Sequence, residues 1–173
     1  MKRPVLLVAI VVLAALSLQA QEYPRAEAFG GFSIFSVANG GRETFLGWQT
    51  SVSANVNRYL GLVGDFGGQY KEVFGIRLQA YQFLFGPEFK LRTERATVFV
   101  HALIGAAHVR GGGIAENGLA LGAGVGLDIN MGPVIAIRMP QLDYVPTRFG
   151  EDGWSRKDVR LGVGLVFKLG GGH

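Results

Sequence analysis

The sequence contains no cysteine. Without a thiol the chain cannot form a disulfide framework, and it cannot be a lipoprotein attached through a lipid-modified cysteine. Beyond its first twenty residues it also has no apolar run of about 18 residues, the length that a membrane-spanning helix needs. These two absences exclude disulfide scaffolds, lipoproteins and helical membrane proteins, although 49% of the residues are hydrophobic.

The sequence also has little excess charge of one sign. It contains 17 basic and 13 acidic residues, a formal net charge of +4, and two of the basic residues are Lys2 and Arg3. Without those two the net charge falls to +2, which is too small for an electrostatic nucleic-acid surface. We therefore expect no nucleic-acid partner.

The N-terminus has the pattern of a secretory signal peptide. Lys2 and Arg3 precede the apolar run of residues 5–18, and Ala20 supplies a small residue at the expected cleavage site. The alternative is an N-terminal membrane anchor, but this run is shorter than the ~18 residues of a spanning helix. We predict that residues 1–20 are a cleaved signal peptide, residues 21–169 one domain, and residues 170–173 a short Gly-rich tail.

Glycine is abundant, at 27 of 173 residues, and the apolar residues alternate. In four segments, large apolar and aromatic residues occupy every second position, and glycine or polar residues occupy the positions between them. This two-residue period is that of a β-strand, and we call each set of alternate positions a parity. Leu84 is an exception on the polar parity. These four segments are residues 60–71, 81–92, 119–130 and 159–169. Weaker alternation in residues 26–37, 45–56, 97–109 and 134–144 brings the count to eight strands.

The connections between these strands alternate in length. Tight turns at residues 57–58, 93–95 and 130–133 alternate with longer segments at residues 38–44, 71–76, 110–117 and 146–158. Short turns on one rim and longer loops on the other are typical of outer-membrane barrels, and hydrocarbon requires the sheet to close. The sequence predicts an all-β, eight-stranded, antiparallel up-and-down transmembrane β-barrel in the cell outer membrane, with its loops outside the cell.

A soluble, lipocalin-like barrel with its apolar face inward is the alternative. The apolar parity carries too much aromatic bulk for a lumen, and the opposite parity too little charge for a solvated surface. We therefore place the polar parity inside. The inward glycines then give room to longer polar neighbours; they are Gly122, Gly124, Gly126, Gly162 and Gly164.

The interior is predicted to hold a network of charges. Buried charges of both signs should pair, because an isolated buried charge is costly. The candidate lumen residues are Asp65, Glu88, Lys90, Asp128, Arg138, Asp143 and Arg160. Arg138 and Asp143 have opposite parity, so both point inward only if a bulge intervenes, for which Pro140 is the natural place. Otherwise Asp143 lies at the exposed rim.

Residues 136–144, Ala-Ile-Arg-Met-Pro-Gln-Leu-Asp-Tyr, are followed by Thr147, Arg148 and Phe149. This segment resembles the seventh strand of small OmpA-like outer-membrane barrels. The resemblance implies that Glu88 pairs with Arg138 or Arg160, in a network that plugs the lumen or gates a minor conductance. Only residues 170–173 follow the last strand, so we expect neither a peptidoglycan-binding domain nor the terminal aromatic residue usual in this family.

Catalytic patterns are weak. No His-x-Ser pair of the kind found in lipid A deacylase barrels is present, and Gly122–Gly124–Gly126 lies within a strand rather than before a helix. His101 and His108 are separated by an odd number of residues, so they lie on opposite strand faces and cannot share a metal. We expect no enzymatic activity, no cofactor and no metal.

The function expected from the sequence is that of a non-enzymatic integral outer-membrane barrel with a structural or surface-interaction role. Its expected partners are outer-membrane lipid, lipopolysaccharide and, during biogenesis, the barrel insertion machinery, and we expect a monomer. The alternative is a narrow porin-like channel for ions or small solutes.

Overall fold

A computed structural model describes residues 23–38, 42–73, 76–111, 113–150, 154 and 158–170. The predicted signal peptide, residues 1–20, and residues 171–173 of the tail lie outside this part of the chain. The described residues form nine β-strands: β1 Ala26–Ala38, β2 Arg42–Asn55, β3 Leu60–Val73, β4 Ile76–Arg92, β5 Ala96–Gly111, β6 Ile114–Asn130, β7 Ile135–Tyr144, β8 Thr147–Phe149 and β9 Val159–Leu169. No helix in these segments is long and apolar enough to cross a membrane.

The strands close into an antiparallel barrel. Each strand from β1 to β6 pairs with the next one along the chain, and β9 pairs with both β7 and β1. The short strand β8 continues β7, because Tyr144 pairs with Ala123 and Thr147 with Ala120 in one unbroken register on β6. β7 and β8 thus count as one strand, and the eight-stranded up-and-down barrel predicted from the sequence is confirmed.

The outer surface of the barrel is apolar. Residues on the predicted outward parity are highly exposed, among them Phe32 at 78%, Leu46 at 65% and Phe85 at 65%. On β9 six such residues follow one another at every second position from Val159 to Leu169. This length matches the ~9 to 11 residues that a tilted strand needs to cross hydrocarbon. The soluble alternative is wrong, because a lipocalin-like barrel would bury these side chains. We call this surface the apolar belt.

The connections are shorter than the sequence predicts. The longer segments expected at residues 71–76 and 110–117 are mostly strand, since β3 ends at Val73 and β5 at Gly111. The segment expected at residues 146–158 begins with β8. The prediction failed because side-chain alternation stops where the apolar belt ends, whereas backbone pairing continues beyond it. The strands therefore extend past the belt on the loop side.

One part of the lumen is apolar. Seven buried residues from five strands and the segment after β7 pack together: Phe35, Val63, Leu84, Leu103, Ala107, Ala120 and Val145. Leu84, the exception to the sequence pattern, lies within this cluster at 2% exposure. The inward glycine Gly122 lies against it, since an added Cβ would be 3.2 Å from Leu103 and 3.3 Å from Leu84. We call these seven residues the apolar cluster.

Candidate functional site

All seven residues singled out from the sequence lie inside the barrel. Each is at most 3% exposed: Asp65, Glu88, Lys90, Asp128, Arg138, Asp143 and Arg160. Their ion pairs do not form one network. The structure divides these ion pairs into two clusters and one further pair, and it adds partners that the sequence did not indicate.

A β-bulge in β7 brings Arg138 and Asp143 to the same side of the sheet. The pairing partners on both β6 and β9 shift by one residue between Arg138 and Gln141. Met139 and Pro140 are exposed, whereas Arg138, Gln141 and Asp143 are all buried. The predicted bulge at Pro140 is confirmed, and Asp143 does not lie at the exposed rim. Pro140 suits this place because it has no N–H for the ladder.

The middle cluster consists of Asp65, His101, Asp143 and Arg160. The Arg160 guanidinium donates to Asp143 from Nε at 3.0 Å and from Nη2 at 2.7 Å, and Nη2 also lies 2.7 Å from Oδ1 of Asp65. His101 Nε2 lies 3.0 Å from the other carboxylate oxygen of Asp143. The cluster therefore joins β3, β5, β7 and β9 across the lumen.

Two glutamines complete the bonding of the middle cluster. Gln141 Nε2 donates to Asp143 at 2.9 Å, and Gln49 Nε2 donates to Asp65 at 2.6 Å. Both amides are buried. Each aspartate therefore accepts from an amide; Asp143 also accepts from the guanidinium, and Asp65 forms an ion pair with it, which offsets part of the cost of burying both carboxylates.

The turn-side cluster consists of Glu27, Glu88, Lys90 and Arg92, close to the ends of β1 and β4 at the short-turn rim. Lys90 Nζ contacts Glu27, lies 2.7 Å from Glu88 and donates to the Ser53 hydroxyl at 2.9 Å. Arg92 Nη2 lies 3.3 Å from Glu27. The pairing of Glu88 expected from the family resemblance is wrong, because its partner is Lys90 rather than Arg138 or Arg160. Lys90 is only two residues away on the same inward face.

The further pair is Asp128 and Arg138, and Gln141 links it to the middle cluster because Arg138 Nη1 donates to Oε1 of Gln141 at 3.1 Å. Arg138 donates to both carboxylate oxygens of Asp128, at 2.7 and 3.0 Å, in the bidentate geometry that guanidinium groups favour. The guanidinium carbon also lies 4.6 Å from the centroid of the Phe29 ring and 4.1 Å from that of Phe99. Arg138 is thus held between two aromatic rings in a cation–π arrangement. Gly126 makes space for Phe99, since an added Cβ would overlap with its ring.

The two clusters differ in formal charge. In the turn-side cluster two carboxylates face two cations, so the charges balance. In the middle cluster two carboxylates face one full cation, Arg160, and His101 adds a charge only when it is protonated. Arg160 is therefore the only permanent cation that compensates Asp65 and Asp143 in the described part of the chain.

Several members of these clusters were not predicted from the sequence. Glu27 lies in a segment with weak alternation, yet its parity matches that of Phe29, which is also buried. Gln49 is an uncharged polar residue on the inward parity, and a search for charged residues alone overlooks it. Position on the inward parity, rather than charge, was the signal that would have found both residues.

The described histidines and carboxylates do not form a metal site. His101 lies in the lumen, whereas His108 lies on the outer face and its Nδ1 is 2.7 Å from Oδ1 of Asn117. Within the described ranges, no group of three or more His, Cys, Asp or Glu residues is placed to hold a metal ion. The arrangement that is present is one of ion pairs across a packed lumen.

The protein is similar to known proteins in its structure. No model of a protein family matches the sequence, and no curated protein matches it. Neisserial surface protein A is similar in structure, with a TM-score of 0.68 and 11% identity over 86% of this chain and 100% of that one. Ail, the attachment invasion locus protein of Yersinia pestis, has a TM-score of 0.62 and 18% identity over 85% of this chain and 99% of that one.

A third similar structure is the N-terminal β-barrel domain of Pseudomonas aeruginosa OprF. Its TM-score is 0.57 at 15% identity, over 85% of this chain and 99% of that domain. At these identities the likeness concerns the fold alone. The chain therefore has the fold of the small transmembrane barrels of bacterial outer membranes.

Proposed function

We propose that this protein is an integral outer-membrane protein whose barrel has a structural or surface-interaction role and catalyses no reaction. The observation that carries the proposal is the orientation of the side chains, which is the reverse of that in a soluble barrel. Its large apolar side chains face outward and its charges are paired inside. Only a lipid environment makes that arrangement favourable, because water would penalise the belt and hydrocarbon would penalise an open sheet edge.

The packing of the lumen supports a role that does not depend on conduction. Phe29, Arg138 and Phe99 stack across the barrel toward the short-turn rim, and the residues of the apolar cluster pack together elsewhere in the lumen. A narrow channel for ions or small solutes, the alternative function, would have to displace one or both of these groups.

We further infer the route and relatives of the protein. Residues 1–20 would direct export as a cleaved signal peptide, and the barrel insertion machinery would then fold residues 21–169 as a monomer into a membrane of lipid and lipopolysaccharide. The buried Arg138, Gln141 and Asp143 of β7 support assignment to the OmpA-like barrels. The surface-interaction role gains support from Ail, an attachment invasion locus protein whose structure includes a complex with the heparin analogue sucrose octasulfate.

Cell fractionation combined with surface proteolysis tests the location. We expect the protein in the outer-membrane fraction, with trypsin on intact cells cutting first between β8 and β9, where the sequence contains Arg156 and Lys157. Arg58 and Arg95, in the short turns, serve as internal controls that should be cut only in lysed cells. Recovery of the protein in the soluble periplasm would contradict the proposal.

Planar-bilayer recordings test the role. The refolded wild-type barrel should show no stepwise conductance, and neither should the Glu88→Ala variant, because the lumen stays filled by the apolar cluster. Openings in the wild-type protein that change with Glu88→Ala would instead support the channel.

A further inference from the structure

A polar patch lies on the outer face directly beyond the loop-side edge of the apolar belt. It comprises Gln79 on β4, His108 and Arg110 on β5, Asn117 on β6 and Arg148 on β8; we call it the rim patch. Gln79 is the register partner of Arg110, and His108 that of Asn117. Arg148 pairs with Leu119, the next outward position on β6 after Asn117. The rim patch is therefore continuous across four adjacent strands.

Among the side chains that the structure describes, the other side of the barrel carries no such group of cations. Beyond the belt, the outward side chains described on β1 and β2 are Ser36 and Thr44, which are register partners. On β9 the neighbour of Ser36 is Val159. On β3, next to β4, the exposed acidic residue Glu72 lies at the edge of the rim patch. The outward cations with described side chains beyond the belt are thus Arg110 and Arg148, while Arg42 on β2 and Arg77 on β4 occupy further outward strand positions.

Aromatic residues next to the rim patch mark its depth in the membrane. Trp48 Nε1 donates to the Tyr70 hydroxyl at 3.3 Å, and the hydroxyls of Tyr70 and Tyr81 lie 3.4 Å apart. The two tyrosine rings meet edge to face at 6.1 Å between centroids. Tyr and Trp with exposed polar ends favour the boundary between hydrocarbon and headgroups. Tyr81 is the register partner of His108, so the rim patch lies at headgroup level.

The chemistry of the rim patch suits a phosphate. Arg110 and Arg148 are exposed, and neither forms an ion pair with another described residue. A guanidinium can donate two parallel hydrogen bonds to phosphate oxygens. Beside Arg148 is a depression of about 330 Å³ lined by Asn117, Gly118, Leu119, Arg148 and Gly150. The site therefore combines two cations, amide donors and a hollow above an apolar surface.

We propose that the rim patch binds the phosphate monoesters of a phosphorylated glycolipid in the outer leaflet. Arg110 and Arg148, whose register partners on β6 are Ala115 and Leu119, would each donate to a phosphate of the headgroup, while the acyl chains lie along the apolar belt. The inference rests on the proposed outer-membrane location. Four adjacent strands span roughly 14 Å at the usual strand spacing, which suits a sugar-bearing headgroup better than a single phosphodiester.

Native mass spectrometry of the folded barrel in detergent tests this proposal. The probe is lipid A with two phosphate monoesters, titrated against the wild-type protein and the double variant Arg110→Gln/Arg148→Gln. We expect the double variant to bind at least about tenfold more weakly, because two charge-assisted contacts are lost. The matched control is Arg58→Gln/Arg95→Gln, which removes two exposed arginines from the opposite rim and should bind like the wild type.

Two further lipids define the ligand. Enzymatically dephosphorylated lipid A should bind the wild-type barrel as weakly as intact lipid A binds the double variant, and phosphatidylglycerol should bind the wild type more weakly than intact lipid A. Equal binding by the wild type and the double variant would overturn the proposal. Equal affinity for phosphatidylglycerol would overturn the choice of a glycolipid. Heat-modifiable gel mobility verifies the folded state of each variant.

The lipid-binding test and the fractionation test can fail independently of each other. Binding is measured on refolded protein, so its failure leaves the outer-membrane assignment to be decided by fractionation. Conversely, a protein recovered from the periplasm would contradict the proposed function whatever it binds in detergent.

Discussion

The two charged clusters of the lumen both pair carboxylates with cations, but they differ in redundancy. In the turn-side cluster, Lys90 contacts Glu27, Glu88 and Ser53, and Glu27 contacts both Lys90 and Arg92. In the middle cluster, Asp65 and Asp143 both depend on Arg160. The loss of either glutamate leaves Lys90 the other one as a partner, whereas the loss of Arg160 leaves two carboxylates without a permanent cation.

Burial increases this difference. The side chain of Arg92 is 11% exposed, so water can reach part of the turn-side cluster, whereas that of Arg160 is 0% exposed. A buried charge that loses its partner costs far more than an exposed one, because water cannot replace the missing interaction. The clusters should therefore respond very differently to the removal of one member.

The largest effect is expected for Arg160→Met. This change leaves Asp65 and Asp143 facing each other in the lumen without their cation, and breaking a buried pair in this way typically costs about 3–5 kcal/mol. The free energy of unfolding should fall by that amount. It can be measured by urea titration of the barrel refolded in phospholipid vesicles, with gel mobility as the second probe.

The control for Arg160→Met is the triple variant that also carries Asp65→Asn and Asp143→Asn. Neutral amides of similar shape remove the uncompensated charge, so most of the lost stability should return. If Arg160→Met alone unfolds like the wild type, Arg160 is not the element that holds the middle cluster together.

A smaller effect is expected for Gly124→Ala on β6. A Cβ at this inward position would overlap with Oδ1 of Asp143 and lie 2.6 Å from Nε2 of His101. Asp143 and His101 must then separate, at a cost typical of overpacking, about 1–3 kcal/mol. Gly30→Ala is the matched control, because Gly30 faces outward with nothing within 4 Å of an added Cβ. Equal stability of the two variants would contradict the assigned role of Gly124.

Much of this architecture could be predicted from the sequence, because the alternation of apolar and polar residues along a strand of a membrane barrel shows which face meets lipid. Alternation placed Phe85 outside and Glu88 inside, and the conflict in parity between Arg138 and Asp143 located the bulge at Pro140. Glycine on the inward parity at Gly124 indicated space for long neighbours. Each of these inferences depends only on the order of residues within one strand.

The choice of ion-pair partners could not be predicted in the same way. Whether Glu88 meets Lys90 or Arg138 depends on the stagger between strands and on the reach of each side chain, and neither is contained in a two-residue period. The apolar cluster was missed for a related reason. Leu84 looked like a single exception until the closed barrel brought Leu103 and Val63 against it.

The smallest effect is expected for Glu88→Gln in the turn-side cluster. Lys90 keeps Glu27 and the Ser53 hydroxyl as partners, and a glutamine amide at position 88 can still accept from Ser53. The free energy of unfolding should therefore fall by only about 1 kcal/mol, the usual net value of one hydrogen bond.

Urea titration of Glu88→Gln beside Arg160→Met sharpens the comparison, since both changes remove one buried charge from a lumen cluster. If redundancy protects the turn-side cluster, adding Glu27→Gln to Glu88→Gln should cost more than the sum of the two single changes, because Lys90 then loses both carboxylates. A double variant whose loss equals that sum would show that Glu27 and Glu88 act independently. The low cost of Glu88→Gln would then reflect access to water at the short-turn rim rather than a choice of partners.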